Sequence, residues 1–201
     1  MQGPGAGQGL DAGQGGGPRQ GLGRRQGCVV WLTGLPGSGK TTIATALAED
    51  LRREGVPVEV LDGDEIRAHL SPELGFSPPE RELHNRRVIF LAKLLSRNGI
   101  VAIVALISPY RAIRDAARAE LGRFVEVWVK CSVEECMRRD PKGHYRRALD
   151  GQNPQMTGVQ APYEPPPDPE LIADTEQWPV ERCVAEIRRV LVEQGYLNAA
   201  T

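Results

Sequence analysis

A glycine-rich loop between an apolar segment and an amphipathic one is the feature that most constrains this chain. The loop reads GLPGSGKT and matches the phosphate-binding pattern G-x-x-x-x-G-K-[ST]. Gly37 and Gly39 allow backbone N–H groups to turn inward around phosphate oxygens, and the following helix adds its positive end. Lys40 supplies a positive charge, and Thr41 supplies a hydroxyl for Mg²⁺. The residues predicted to bind a nucleoside triphosphate here are Gly34, Leu35, Pro36, Gly37, Ser38, Gly39, Lys40, Thr41 and Thr42.

Elements of the expected type flank this loop on both sides. The run from Cys28 to Thr33 is apolar and of strand length. Apolar side chains then recur at every fourth position after Lys40, which predicts a helix over 40–54 that Gly55 ends. Because a strand leads into the loop and a helix leaves it, the match has the context that a phosphate-binding loop requires.

The alternation of strand and helix continues along the chain. Apolar runs predict strands at 58–61, 100–107, 125–129 and 171–173. Helices are predicted at about 80–97 and 180–194, with a short one opening at Ser132. Strands separated by helices indicate an α/β fold, a parallel sheet with helices on both faces, whose ligands collect at the carboxyl ends of the strands.

Composition excludes several classes of partner. Lys and Arg total 25 and Asp and Glu 26, so the net charge of -1 predicts no general attraction to nucleic acid or to anionic membranes. No apolar run approaches the roughly 18 to 20 residues of a membrane-spanning helix. The cysteines lie mostly in apolar segments without C-x-x-C spacing, which favours reduced core thiols. We therefore expect a cytoplasmic protein with no nucleic-acid or membrane partner.

The first 27 residues differ in composition from the rest. They hold 11 of the 23 glycines, interleaved with Gln and Pro. Such a segment buries too little apolar surface to offset the entropy cost of ordering it. The sequence therefore predicts a disordered Gly/Gln-rich tail over 1–27, followed by one domain over 28–197; a tail that docks through its arginines is the alternative.

A phosphate-binding loop alone leaves GTPases, ATPases, kinases and nucleotide sensors open. The chain has no guanine-reading N-K-x-D run, and it is too short for a motor ATPase, which leaves a small P-loop kinase. Kinases of this kind close a lid over the reactants. The cationic segment at about 138–163 is the predicted lid, and Arg139 within it is predicted to close on ATP.

Two carboxylates follow the second predicted strand. Asp62 and Asp64 should face the triphosphate, with Arg67 one helical turn beyond. With Mg²⁺ and ATP present, Asp62 and Thr41 can serve the metal while Asp64 orients or deprotonates an attacking hydroxyl. The alternative is an ordinary turn with a helix cap.

Several further blocks occur in a fixed order after the loop. They read LDGDEIR at 61–67, LGFS at 74–77, ISPYR at 107–111 and DPKG at 140–143. With these blocks the chain resembles adenylylsulfate kinases over roughly 27–197. The resemblance implies transfer of the γ-phosphoryl group of ATP to the 3′-hydroxyl of adenylyl sulfate, in sulfate activation. It also implies a homodimer, with adenylyl sulfate made by an ATP sulfurylase on a separate chain.

The resemblance also assigns roles to individual residues. Asp64 would face the acceptor hydroxyl, Arg67 and Arg81 would hold the phosphosulfate, and Phe76 would lie against the adenine of adenylyl sulfate. The catalytic residues so assigned are Lys40, Asp62, Asp64 and Ser108. The residues assigned to substrate are Asp64, Arg67, Phe76, Arg81, His84, Ile107, Ser108, Lys142 and Met156.

Three positions bear on how such a site would work. Ser108 could carry phosphate in a covalent intermediate, but no base adjoins it in sequence, which favours direct transfer with Ser108 as a hydrogen-bond donor. Met156 and His84 stand where the family has phenylalanine and asparagine, and they predict weaker acceptor affinity. A kinase for another hydroxylated anion and a regulatory subunit without turnover are the alternatives.

Overall fold

The computed structural model describes residues 26–152 and 155–198. Its strands form one parallel sheet in the order β2-β3-β1-β4-β5. The strands are β1 Val29–Thr33, β2 Val58–Asp62, β3 Val101–Ala105, β4 Phe124–Lys130 and β5 Leu171–Asp174. The helices are α1 Lys40–Arg53, α2 Gly63–Leu70, α3 Pro78–Ser96, α4 Arg111–Leu121, α5 Val133–Arg139, α6 His144–Leu149 and α7 Val180–Glu193.

Side chains of the central strand β1 alternate between two apolar layers. Val30 and Leu32 pack on the face covered by α1 and α7, where Leu47 and Ile187 are buried. On the opposite face of the sheet, the alternate side chains of β1, among them Trp31, pack against α3 and α4. A parallel strand covered on both faces is buried throughout and mainly apolar, as β1 and β3 are. The predicted α/β sheet with helices on both faces is thus confirmed.

Helix boundaries depart from the sequence prediction in identifiable places. A helical turn was expected after Asp64, but no helix was predicted at α4 or α6, because α6 is short and α4 carries only two large apolar side chains, Ile113 and Leu121. Helix α3 begins at Pro78 rather than at about Glu80. Proline suits the first helical turn, where its missing N–H is not needed. The Glu80 carboxylate accepts the N–H of Ser77 at 3.1 Å, which closes this end of the helix.

The start of the folded domain can be placed on a backbone hydrogen bond. Gly27 is buried and donates its N–H to the carbonyl of Ser96 at 3.0 Å, so it belongs to the domain although the sequence assigned it to the tail. The rest of the predicted tail, apart from Gln26, lies outside the described residues. Within the described ranges no helix combines the length and the apolar content needed to cross a bilayer. All four cysteines are buried and free, as predicted.

Candidate active site

A cleft of about 740 Å³ opens at the carboxyl ends of β1, β2 and β3. Its walls come from the glycine-rich loop, the start of α2, the first turns of α3, the turn after β3 and the segments around 139–142 and 155–157. The sequence-predicted residues that line it are Pro36, Gly37, Gly39, Lys40, Thr41, Thr42, Asp62, Asp64, Arg67, Phe76, Arg81, His84, Ile107, Ser108, Arg139, Lys142 and Met156. Gly34, Leu35 and Ser38 of the same loop were also predicted to bind the nucleotide, but they do not line the cleft.

Lys40 lies along the inside of the glycine-rich loop. Its ammonium group donates to the carbonyls of Gly34 at 2.9 Å and Leu35 at 2.6 Å. Gly37 and Gly39 have φ of 78° and 100°, which other residues rarely adopt. A Cβ on Gly37 would also approach the carbonyl of Cys136 at 3.1 Å. The loop is thus held closely against α5, with the lysine at its centre.

Burial lowers the pKa of Lys40 to about 8, although the nearby charges of Asp62 and Asp64 oppose this shift. A bound triphosphate favours the charged ammonium. We therefore expect ATP binding to take up protons above pH 8 and to weaken there with rising pH. Calorimetry in buffers of different ionisation enthalpy measures this uptake, and the Lys40→Arg variant, which does not titrate in this range, should lack it.

Thr41 in the first turn of α1 and Asp62 at the end of β2 form a hydroxyl–carboxylate pair. The Thr41 hydroxyl donates to Asp62 Oδ2 at 2.7 Å. The other oxygen of Asp62 accepts the N–H of Asp64 at 2.9 Å and so caps α2. Asp62 therefore caps α2, as the alternative interpretation of the sequence held. Its second oxygen still faces the glycine-rich loop.

Asp64 forms an ion pair with Lys142 across the cleft. Both side chains are largely exposed, so the pair contributes little to stability. Burial alone would raise the pKa of Asp64, but the hydrogen bond and charge of Lys142 outweigh it and lower that pKa. The pair joins residues 78 positions apart in the chain, across the mouth of the cleft.

Two guanidinium groups flank the ring of Phe76. Arg67 lies 4.7 Å and Arg81 5.6 Å from the ring centroid, and Phe76 itself is 51% exposed. Arg81 also donates to Thr157 Oγ1 at 2.9 Å and to the carbonyl of Gln155 at 2.6 Å. Burial lowers the pKa of both arginines, and neither has a carboxylate ion-pair partner among the described residues. This corner of the cleft therefore favours an anion.

His84 is buried beside these arginines. Its Nδ1 lies 3.0 Å from the hydroxyl of Ser71, while its Nε2 has no hydrogen-bond partner among the described residues. Burial, followed by the charges of Arg67 and Arg87, lowers the pKa of His84 to about 4. The imidazole is therefore neutral at neutral pH.

The low pKa of His84 predicts a loss of stability in acid. Between pH 6.5 and about 4 the unfolded chain holds a proton on His84 that the folded chain does not, so the free energy of unfolding falls as pH falls through this window. The expected contribution is about 3 kcal/mol. Urea unfolding at a series of pH values measures it. The His84→Asn variant should lose less stability than the wild type over the same window.

Ser108 has a φ of 42°, and among the described non-glycine residues it is the one whose φ lies in the left-handed range above 20°. Its hydroxyl donates to Asn85 Oδ1 at 3.1 Å and accepts from the indole N–H of Trp31 at 3.2 Å. The side chain is 2% exposed. Its hydroxyl proton is thus committed to Asn85, whereas the sequence analysis expected a bond to substrate.

Met156 and Arg139 both contact residues that support the glycine-rich loop. Met156 is buried in an apolar cluster with Leu35 and Tyr145. Arg139 donates to the carbonyl of Thr175 at 2.9 Å, and Thr175 in turn donates to the carbonyl of Ser38 at 3.0 Å. Both side chains are therefore tied to the frame of the loop as well as facing the cleft.

Sequence reasoning missed several residues at this site. Trp178 and Thr175 line the end of the cleft near Arg139, and Tyr145 donates to the carbonyl of Pro36 at 3.0 Å. Arg114 is buried behind Ser108. A charged residue among the alanines of α4 has no local signal that distinguishes it from a solvent-facing one, because its partners lie far away in sequence.

Together, a parallel sheet, a phosphate-binding loop and a carboxylate across from it define a P-loop phosphotransferase. The adenylylsulphate kinase family profile matches residues 26–174. The chain belongs to this family.

Named relatives and solved structures agree with that assignment. A probable adenylyl-sulfate kinase of Pyrococcus abyssi is 50% identical over 85% of this chain and 98% of its own length. The Mycobacterium tuberculosis APS kinase, solved with AMPPNP and APS, superposes with a TM-score of 0.81 at 35% identity, over 83% of this chain and 98% of that one. A hexameric APS kinase from Thiobacillus denitrificans gives a TM-score of 0.67 at 37% identity, over 87% of this chain and 30% of its own.

Proposed function

We propose that this chain transfers the γ-phosphoryl group of ATP to the 3′-hydroxyl of adenylyl sulfate, giving ADP and 3′-phosphoadenylyl sulfate. The observation that carries the proposal is the division of one cleft into two halves. One half holds Lys40 and the glycine-rich loop, and the other holds the paired guanidinium groups of Arg67 and Arg81. Asp64 lies close enough to both halves for its charge to act on Lys40 and on Arg67.

Each half suits one reactant. The loop and Lys40 bind the triphosphate, and Arg139, which lines the same cleft, closes on ATP. Arg67 and Arg81 bind the phosphosulfate, since guanidinium groups match its oxygens in a forked geometry. Phe76 lies beside both guanidinium groups and is 51% exposed, so part of its ring is accessible to the adenine of the acceptor. Met156 and Ile107 complete the acceptor pocket.

Asp64 orients the 3′-hydroxyl and accepts its proton as the phosphoryl group arrives. Its ion pair with Lys142 must loosen for this, and the anionic reactants provide an alternative partner for the lysine. Lys40 and Lys142 then stabilise charge on the transferring group, which is where electrostatic catalysis has its largest effect. Direct transfer is preferred to a phosphoserine route because the Ser108 hydroxyl is engaged by Asn85 and Trp31.

Thr41 and Asp62 fit Mg²⁺. Both offer oxygen ligands 2.7 Å apart beside the triphosphate loop. Mg²⁺ at phosphate-transfer sites is commonly held by one or two protein side chains together with substrate phosphates and water. Mg²⁺ bound there would neutralise charge on the phosphate oxygens.

The decisive experiment incubates the protein with Mg-ATP and adenylyl sulfate and identifies the product by ³¹P NMR. The 3′-deoxy analogue of adenylyl sulfate is the matched control, because it lacks the accepting hydroxyl and should give no ADP above background. ADP release that needs a different hydroxylated anion would favour the alternative kinase. No turnover with any acceptor, despite ATP binding, would favour a regulatory subunit.

The assembly and supply of substrate are further parts of the proposal. We propose a homodimer in the cytoplasm that receives adenylyl sulfate from a separate ATP sulfurylase. The family supports self-association, since a relative is described as hexameric. Light scattering on the purified protein measures the mass, and a monomer or a hexamer would contradict the dimer.

A further inference from the structure

Arg114 of α4 is a buried cation, and each of its three nitrogens donates a hydrogen bond. The side chain is 1% exposed. Its Nε donates to Glu126 Oε1 at 2.8 Å, one terminal nitrogen donates to the carbonyl of Ser108 at 2.6 Å, and the other donates to the carbonyl of Glu164 at 2.6 Å. One side chain therefore connects α4, β4, the turn after β3 and the segment that follows the predicted lid.

Stability alone is a poor explanation for this arrangement. The free-energy cost of desolvating a buried ion pair commonly cancels its Coulomb attraction. A protein in which well-packed apolar residues of similar volume replace the pair is often as stable. The apolar face of α4 already packs Ala117 and Leu121 into the core. What apolar side chains could not provide is a pair of donors for two backbone carbonyls.

The Ser108 carbonyl belongs to the residue with a φ of 42°. Such a conformation persists only where the surroundings determine it. Arg114 holds the backbone of this residue, and the indole N–H of Trp31 holds its side chain. Ile107 and Ser108 line the acceptor half of the cleft, so the shape of that wall depends on this turn.

The same hydrogen bonds continue to the anion-binding corner. The Ser108 hydroxyl donates to Asn85 Oδ1 at 3.1 Å, and the amide of Asn85 donates to the carbonyl of Arg81 at 2.7 Å. Arg81 carries one of the two guanidinium groups beside Phe76. A continuous polar chain thus leads from the buried Arg114 through Ser108 to the backbone of Arg81.

We infer that Arg114 is a positioning residue for the acceptor: it fixes the turn at Ser108 and, through Asn85, the placement of Arg81. The inference rests on the proposed function. It assigns Arg114 no contact with substrate and no part in ATP binding, since its contacts lie away from the glycine-rich loop.

The test separates positioning from stability with a double variant, Arg114→Met with Glu126→Leu. Removing both partners avoids an unpaired buried charge, so the fold should survive. We expect the KM for adenylyl sulfate to rise about tenfold, with the KM for ATP little changed. Arg114→Lys keeps a charge beside Glu126 but lacks the planar fork that reaches the carbonyls of both Ser108 and Glu164. This variant should raise the KM for adenylyl sulfate less than the double variant does.

Arg118→Met is the matched control. Arg118 lies one helical turn later in α4 and also pairs with Glu126, at 3.3 Å, and with Glu170, but it does not contact Ser108 or Glu164. Its loss should change the melting temperature while leaving the KM for adenylyl sulfate unaltered. A folded double variant or Lys variant with the wild-type KM for adenylyl sulfate would overturn the inference. An inactive wild type would instead contradict the proposed function.

Discussion

Replacing Asp64 with asparagine is expected to lower kcat about 10²- to 10⁴-fold, the range typical of losing a general base. Asparagine has nearly the same shape, but it cannot accept the proton of the 3′-hydroxyl. The KM for ATP should change less than kcat, because among the described residues Asp64 makes no hydrogen bond to the glycine-rich loop. Stability should also change little, since the Asp64–Lys142 ion pair that is lost is exposed. Steady-state assay of ADP formation, with thermal unfolding in parallel, measures these effects.

Two control variants sharpen this experiment. Glu65→Gln makes the same chemical change one residue further along α2, at an exposed carboxylate outside the cleft, and should leave kcat unaltered. Lys142→Gln keeps the Asp64 carboxylate and removes its partner. It should therefore raise the pKa of Asp64 and shift the acid limb of the kcat/KM profile to higher pH. An Asp64→Asn enzyme with wild-type kcat would show that another group handles the proton.

Replacing Lys40 with methionine is expected to lower kcat/KM for ATP about 10²- to 10³-fold, the scale of removing one preorganised charge stabiliser. Methionine keeps the length of the side chain and is tolerated in a buried position. It leaves the carbonyls of Gly34 and Leu35 without the ammonium donor seen here. Isothermal titration with ATP reports ground-state binding, and ADP release reports turnover.

Lys93→Met serves as the control for this change. Lys93 lies on the exposed side of α3, and its one ion-pair partner among the described residues is Glu120, at 3.5 Å. The control should match the wild type in both ATP binding and turnover. If Lys40→Met retained wild-type kcat/KM, the loop would not be acting as a catalytic phosphate site. That result would support the alternative hypothesis of a nucleotide-binding regulatory subunit.

Residues that act through their immediate neighbours were predictable from the chain. The glycine-rich loop, the strand before it and the helix after it are set by backbone preferences and apolar spacing, and the structure has them within one or two residues of the prediction. The carboxylates Asp62 and Asp64 also lie at the predicted strand end. A parallel sheet brings all its carboxyl ends to one edge, so local signals were sufficient to gather these groups in one cleft.

Tertiary structure decided which partner each polar side chain has. The sequence determined a phosphate loop, a carboxylate pair and an arginine-rich acceptor side. Only the fold joined Lys142 to Asp64, committed the Ser108 hydroxyl to Asn85 and buried Arg114 beneath a strained turn. The physical reason is range: dihedral preference and apolar period act over a few residues, whereas burial and hydrogen-bond pairing depend on segments that meet only after the sheet has formed.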